Sequence, residues 1–97
     1  APRPLPAVHP GEILREEFLI PLDLSAGKLA KALGVPRTRI ERLANEQTSM
    51  TPDTALRLGR YFETTPQFWL NLQANHDLVI ATEKLDLDAI TPMAATA

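Results

Sequence analysis

The stretch from Leu24 to Asn45, LSAGKLAKALGVPRTRIERLAN, constrains the fold of this chain more than any other. It reads as two short helices joined by a tight turn. Ser25 can cap the first helix, because its hydroxyl can accept from a free backbone N–H two or three residues on. Leu29, Ala30 and Leu33 then fall on one side at helical spacing. Gly34 follows where a chain leaving a helix often needs a positive φ that a Cβ resists. Val35 covers the turn, and Pro36 suits the first turn of a second helix. Ile40 and Leu43 are the inward residues of that helix, and Arg37, Thr38, Arg39 and Arg42 are its outward ones. Any pair of antiparallel helices has a glycine turn and apolar inner faces. Small Ala30 at the crossing, Gly34 four residues on, Ile40 six further and three outward arginines together fit a helix-turn-helix that reads DNA.

Charge is distributed to suit that reading. The 97-residue chain carries a net charge of −2, and uniform acidity would oppose phosphate binding. Between Ser25 and Arg60, however, Lys28, Lys31, Arg37, Arg39, Arg42, Arg57 and Arg60 outweigh Glu41, Glu46 and Asp53, a local +4. The segment before Ser25 is net −2 and the segment after Arg60 is net −4. A basic centre between acidic flanks suits two partners, nucleic acid in the middle and a basic protein at the sides. The length suits one domain. There is no Cys, hence no disulfide framework and no thiolate metal site. No apolar run reaches the ~18 residues of a membrane span, so a cytoplasmic protein is expected.

Taken in order, residues 1–8 carry Pro2, Pro4 and Pro6 and are expected to form a flexible extended arm. His9-Pro10-Gly11-Glu12 opens a first helix, with Ile13, Leu14 and Phe18 inward and Pro21 at its end. Leu22 and Leu24 are expected to pack near the entry to the next helix. After the helix-turn-helix comes a polar loop, Glu46 to Thr51. Thr51-Pro52-Asp53 starts a fourth helix whose buried stripe is Ala55, Leu58, Gly59 and Phe62. Gly59 inside it predicts a close approach by another helix. Thr65-Pro66 starts a long fifth helix running to about Lys84. One apolar stripe on it is Phe68, Trp69, Leu72, His76, Val79 and Ile80. A second is Leu70, Ala74, Leu78, Ala81 and Leu85, with Asn71, Gln73, Asn75 and Asp77 in the strips between. A surface helix of a small monomer needs one stripe. The second predicts a homodimer seam, unless the tail folds back over it. Residues 86–97 form a weakly ordered tail.

The expectation is therefore an all-α chain: a five-helix, repressor-like helix-turn-helix domain over residues 9–85, with a long C-terminal dimerisation helix. No enzyme site emerges. Glu16 and Glu17 are adjacent on a helix and point in different directions, which argues against shared acid–base work. His9 and His76 lie far apart in sequence and outside any zinc-binding spacing. There is no phosphate-binding glycine loop, and Ser25 and Ser49 lack the context of a nucleophile. No catalytic residue, cofactor or metal is expected.

Four segments carry a resemblance: HPGEILREEFL, LAKALGVPRTRI, TPDTALRLGRYF and TPQFWLNLQANHDL. Together, over His9 to Leu85, they resemble the HigA antitoxins, also called virulence-associated protein I, within the phage-repressor-like helix-turn-helix group. The resemblance implies a homodimer that binds double-stranded operator DNA at its own promoter. It also implies a neighbouring RelE-like, HigB-type toxin, an mRNA endonuclease that the antitoxin neutralises by binding. Carried over by position, Arg37, Thr38, Arg39 and Arg42 become major-groove candidates, while Lys28, Asn45, Thr48 and Ser49 would touch phosphates. The acidic Glu12, Glu16 and Glu17 of the first helix, with the proline-rich arm, are the expected toxin-binding face, since such toxins need a basic surface for RNA. Two departures stand out. Ala26 replaces a Gln common in the group, and Asn45-Glu46-Gln47-Thr48 replaces an Asn-Gly followed by a basic residue. The first removes a polar contact, and the second sets a carboxylate where phosphate is expected. The alternative reading is a stand-alone repressor without a toxin.

Overall fold

A computed structural model describes residues 7–93. The expectations for most of the proline-rich arm and for the last four residues lie outside that range. Five helices follow one another: α1 (Pro10–Ile13), α2 (Ala26–Leu33), α3 (Arg37–Ala44), α4 (Pro52–Phe62) and α5 (Pro66–Lys84). No strand occurs among the described residues, and no helix there is long and apolar enough to cross a membrane.

Local chemistry explains most of the boundaries. The Ser25, Thr51 and Thr65 hydroxyls each accept a backbone N–H three residues on, from Lys28, Thr54 and Phe68. Such caps are worth roughly 1 kcal/mol each. Prolines at 52 and 66 follow the last two caps directly, where a missing N–H costs nothing. His9 caps α1 in the same manner: its Nδ1 accepts the Gly11 N–H at 2.9 Å.

The first helix departs from expectation. After Ile13 it widens into a π-helical segment, Leu14–Leu19. Ile20 donates to the Arg15 carbonyl five residues back at 3.0 Å. The five-residue spacing brings Leu19 beneath Leu14, and both are buried. A strict 3.6-residue repeat places Ile13, Leu14 and Phe18 inward and passes over Leu19. Ile13 and Phe18 are instead partly buried at the core's edge, where Phe18 lies 4.6 Å from Phe62 and 5.1 Å from Trp69. Leu24 packs on the core as expected, but Leu22 is exposed, because the chain turns outward at Pro21.

The core collects Leu14, Leu29, Ile40, Leu43, Leu58 and Trp69, all essentially inaccessible. Trp69 sits at its base, and its indole N–H donates to the Thr64 hydroxyl at 2.8 Å, so the ring buries no unpaired donor. The two close approaches differ from expectation. A Cβ on Gly11 would collide with the Leu43 carbonyl, so α1 rests on the end of α3. A Cβ on Gly59 would lie 2.9 Å from the Thr64 carbonyl. What approaches Gly59 is thus the short connection into α5, not the face of another helix.

Only the first half of α5 joins the core, through Trp69, Leu70, Leu72 and Gln73. The helix then runs on past the globule, giving overall extents of 56 × 22 × 21 Å. A short 3-10 turn, Leu87–Ala89, interrupts the stretch expected as a weak tail, whose described part, to Met93, is exposed and leaves Leu78 exposed on α5.

Candidate nucleic-acid interface

Helix α2 and the turn after it fix where α3 points. Gly34 adopts the left-handed conformation, φ +72°, that a side chain there would resist. Its N–H and that of Val35 reach back to the Lys31 and Ala30 carbonyls. Arg57 of α4 donates to the Leu33 carbonyl at 2.7 Å and to Asp53 at 2.8 Å, clamping the end of α2 to α4. Arg57 is therefore part of the framework, a role its place in a basic segment did not reveal. Pro36 lies one position earlier than expected. It is the cap residue of α3, in extended conformation, and Arg37 opens the helix. The cap has no side-chain acceptor, so no side chain caps the backbone N–H groups of the exposed first turn of α3.

With Ile40, Leu43 and Ala44 buried, helical geometry turns Arg37, Thr38, Arg39 and Arg42 outward, and all four are exposed. They are not equivalent. Arg39 pairs with Asp53 at 2.8 Å and Arg37 with Glu41 at 2.9 Å. Among the described residues Arg42 makes no ion pair, leaving its guanidinium available for an external acceptor. Thr38, Arg39 and Arg42 line an open cleft of about 440 Å³ with Thr48, Ser49, Thr51 and Asp53. Five of the eight expected DNA contacts thus come together from two segments of the chain. The other three lie around them: Lys28 exposed in the first turn of α2, Arg37 against the Gly27 backbone, and Asn45 at the C-terminal cap of α3.

The electrostatics of this face are tighter than the sequence suggested. Asp53 holds two guanidiniums, and the Arg57 hydrogen bond first, then Arg39, pulls its carboxyl below the usual carboxylate range. Glu46 adopts a left-handed conformation, and its carboxylate sits 3.2 Å from Arg15 of the π segment. The charge expected to repel phosphate is therefore paired. Arg15 also donates to the Ala44 carbonyl, completing the end of α3.

Two buried polar residues beneath the cleft were not anticipated. Gln73, expected on a polar strip of α5, is buried, and its Oε1 accepts the Met50 N–H at 2.6 Å. His9 and His76, distant in sequence, meet edge to face at 4.9 Å. Burial first, then His76, lowers the His9 pKa below its ordinary value. Among the described residues no cluster of three or more metal-ligating side chains exists.

None of the residues of the expected partner surfaces lines the cleft. Glu16 and Glu17 are exposed and Glu12 is half-buried; Glu16 pairs with Arg15 at 2.9 Å. Of the second stripe of α5, Leu70 packs against the chain's own core. Ala74, Leu78 and Leu85 are exposed and Ala81 is intermediate.

Residues 14–69 match the helix-turn-helix family HTH_3. The chain is 51% identical over 94 residues to virulence-associated protein I of Dichelobacter nodosus, covering 96% of this chain and 87% of that one. A HigA-family addiction module antidote protein from Coxiella burnetii is 44% identical and superposes with a TM-score of 0.85, over 91% of this chain and 99% of that one. A Pseudomonas aeruginosa protein solved in complex with its operator DNA is 42% identical with a TM-score of 0.86, over 96% and 100% of the two chains. This is a family of DNA-binding regulators, not a class of enzyme. The helix-turn-helix geometry, the match over more than half its length and these relatives place the chain in the helix-turn-helix family, within the group of HigA antitoxins and virulence-associated protein I.

Proposed function

We propose that this chain is the antitoxin of a two-component module. It represses its own operon by binding operator DNA as a homodimer, and it neutralises a RelE-like, HigB-type mRNA endonuclease by direct contact. The observation that carries the reading is the cleft on the outer face of α3, where Thr38, Arg39 and Arg42 stand beside Thr48 and Ser49. Arg42 can present two donors to guanine O6 and N7, and Thr38 can meet a thymine methyl. The loop hydroxyls, Lys28 and Asn45 suit phosphate, which fixes register without reading sequence. Two copies of α3 about 34 Å apart would enter successive major grooves of a palindromic site.

The pairing of subunits rests on α5. Leu78 and Leu85 are each more than 60% exposed, and a twin helix is the simplest cover for them. The toxin reading rests on charge: Glu12, Glu16 and Glu17 lie on the first helical segment, apart from the cleft, and suit a basic protein.

Fluorescence anisotropy with the DNA upstream of the chain's own gene, against a scrambled duplex at fixed salt, tests the first half. Preferential binding is expected, and equal affinity for both duplexes refutes it. Reversing Glu12, Glu16 and Glu17 to Lys tests the second half. Toxin affinity should fall while operator binding persists, and unchanged toxin affinity moves that surface elsewhere.

A further inference from the structure

The loop between α3 and α4 carries Thr48 and Ser49, both exposed at the cleft. A loop that meets phosphate works best when its groups are already held in place before the ligand arrives. Its near end is closed by backbone bonds from Glu46 to Leu43 at 2.9 Å and from Gln47 to Arg42 at 2.8 Å. Its far end becomes the cap of α4 at Thr51. Between them, two buried polar side chains reach the loop from distant parts of the chain. Gln73 accepts the Met50 N–H at 2.6 Å, and its own NH₂ donates to Asp77 at 2.9 Å, which fixes the amide's orientation. His9, whose Nδ1 accepts the Gly11 N–H, lies close to the same loop, since Glu46 and the Thr48 backbone both favour its charged form.

Gln73 is the informative member. It shares the core-facing line of α5 with Trp69 and Leu72, where a leucine would fill the space without desolvating an amide. An amide there is accounted for by the Met50 N–H, which is cut off from water and needs an acceptor. We propose that Gln73 is a positioning residue for DNA binding. It holds the Thr48–Ser49 loop in the geometry that meets the phosphate backbone and so links α5 to the DNA face. This inference rests on the operator-binding reading.

The test uses the full chain and its own upstream DNA, with anisotropy measured across a range of salt concentrations. Gln73→Leu removes the acceptor. Thr48 and Ser49 are neutral and displace no counterions, so if their phosphate contact is lost in each subunit, affinity should fall about tenfold with the salt slope unchanged. Preference among operator bases should not change, because phosphate contacts carry no sequence information. The paired change Gln73→Glu with Asp77→Asn keeps an acceptor for Met50 and reverses the second hydrogen bond, and it should restore affinity. Folded Gln73→Leu with wild-type affinity overturns the inference alone. So does a paired variant that recovers thermal stability but not affinity. If Gln73→Leu does not fold, Asp77→Ala decides, since it frees the amide from an exposed partner. Faster Met50 amide exchange with weaker operator binding supports the inference, and faster exchange with wild-type affinity overturns it. Wild-type chain that shows no preference for its upstream DNA overturns the operator reading, and this inference with it.

Discussion

The outer face of α3 and the distal half of α5 are both exposed, and they are exposed for opposite reasons. On α3 the outward residues are charged or hydroxylic, and solvent is a good environment for them while no ligand is present. On α5 beyond Gln73 the outward residues include Leu78 and Leu85, followed by Leu87, Ile90 and Met93 in the tail. Burying a leucine fully is worth roughly 1.5–3 kcal/mol relative to leaving it in water. A row of them is a standing preference for a protein partner. The first face is well solvated without a ligand, whereas the second keeps large apolar side chains in water. The contrast separates the two proposed contacts chemically: polyanion at the helix-turn-helix, a second subunit at α5.

Breaking the apolar side should have the largest effect. Leu78→Asp is expected to give monomers by light scattering while the core, which Leu78 does not enter, keeps its melting transition. Operator affinity should then fall by about 10²-fold or more, because the two half-sites no longer bind as one unit. A variant that remains dimeric removes α5 from the interface. Breaking the polar side comes next. Arg42→Ala should cost ~1–3 kcal/mol of operator affinity per lost base contact, with little change in stability. An equal loss on every sequence would reassign Arg42 to phosphate.

Two smaller effects sharpen the comparison. His9 titrates below its ordinary value of 6.5, because burial and His76 disfavour its charged form. The unfolded chain therefore takes up the proton first. Stability should be full above about pH 6.5 and decline as the pH falls from there through the folded-state pKa. In His9→Asn, which keeps a capping acceptor, thermal melts should lose that part of the slope. Unchanged pH dependence would place the titration elsewhere. The smallest effect is expected for Arg37→Ala. Its exposed pair with Glu41 is one helical turn long and worth about 0.3–0.5 kcal/mol at most. Its operator affinity should fall less than that of Arg42→Ala, since Arg37 stands outside the cleft.

What could be read from the sequence was local. Ser25, Thr51 and Thr65 each announce a helix that begins at the next residue, and the left-handed Gly34 is dictated by the turn itself. The outward arginines of α3 follow from the inward Ile40 and Leu43. What could not be read depends on residues far apart in the chain. The π widening after Ile13 changes the register on which Leu19 is buried, and no composition signal marks it. Gln73 looks polar and exposed until Met50 passes beneath it. Likewise, Glu46 looks hostile to phosphate until Arg15, from another helix, is seen to hold it.

The most direct test of the central claim is a loss-of-contact scan. Each base pair of the operator is changed in turn, and binding is measured for the wild-type chain and for Arg42→Ala at one fixed salt concentration. If α3 reads the groove, wild type should discriminate at a symmetric pair of positions where Arg42→Ala is indifferent, with discrimination elsewhere unchanged. Parallel profiles for the two proteins at every position would contradict it.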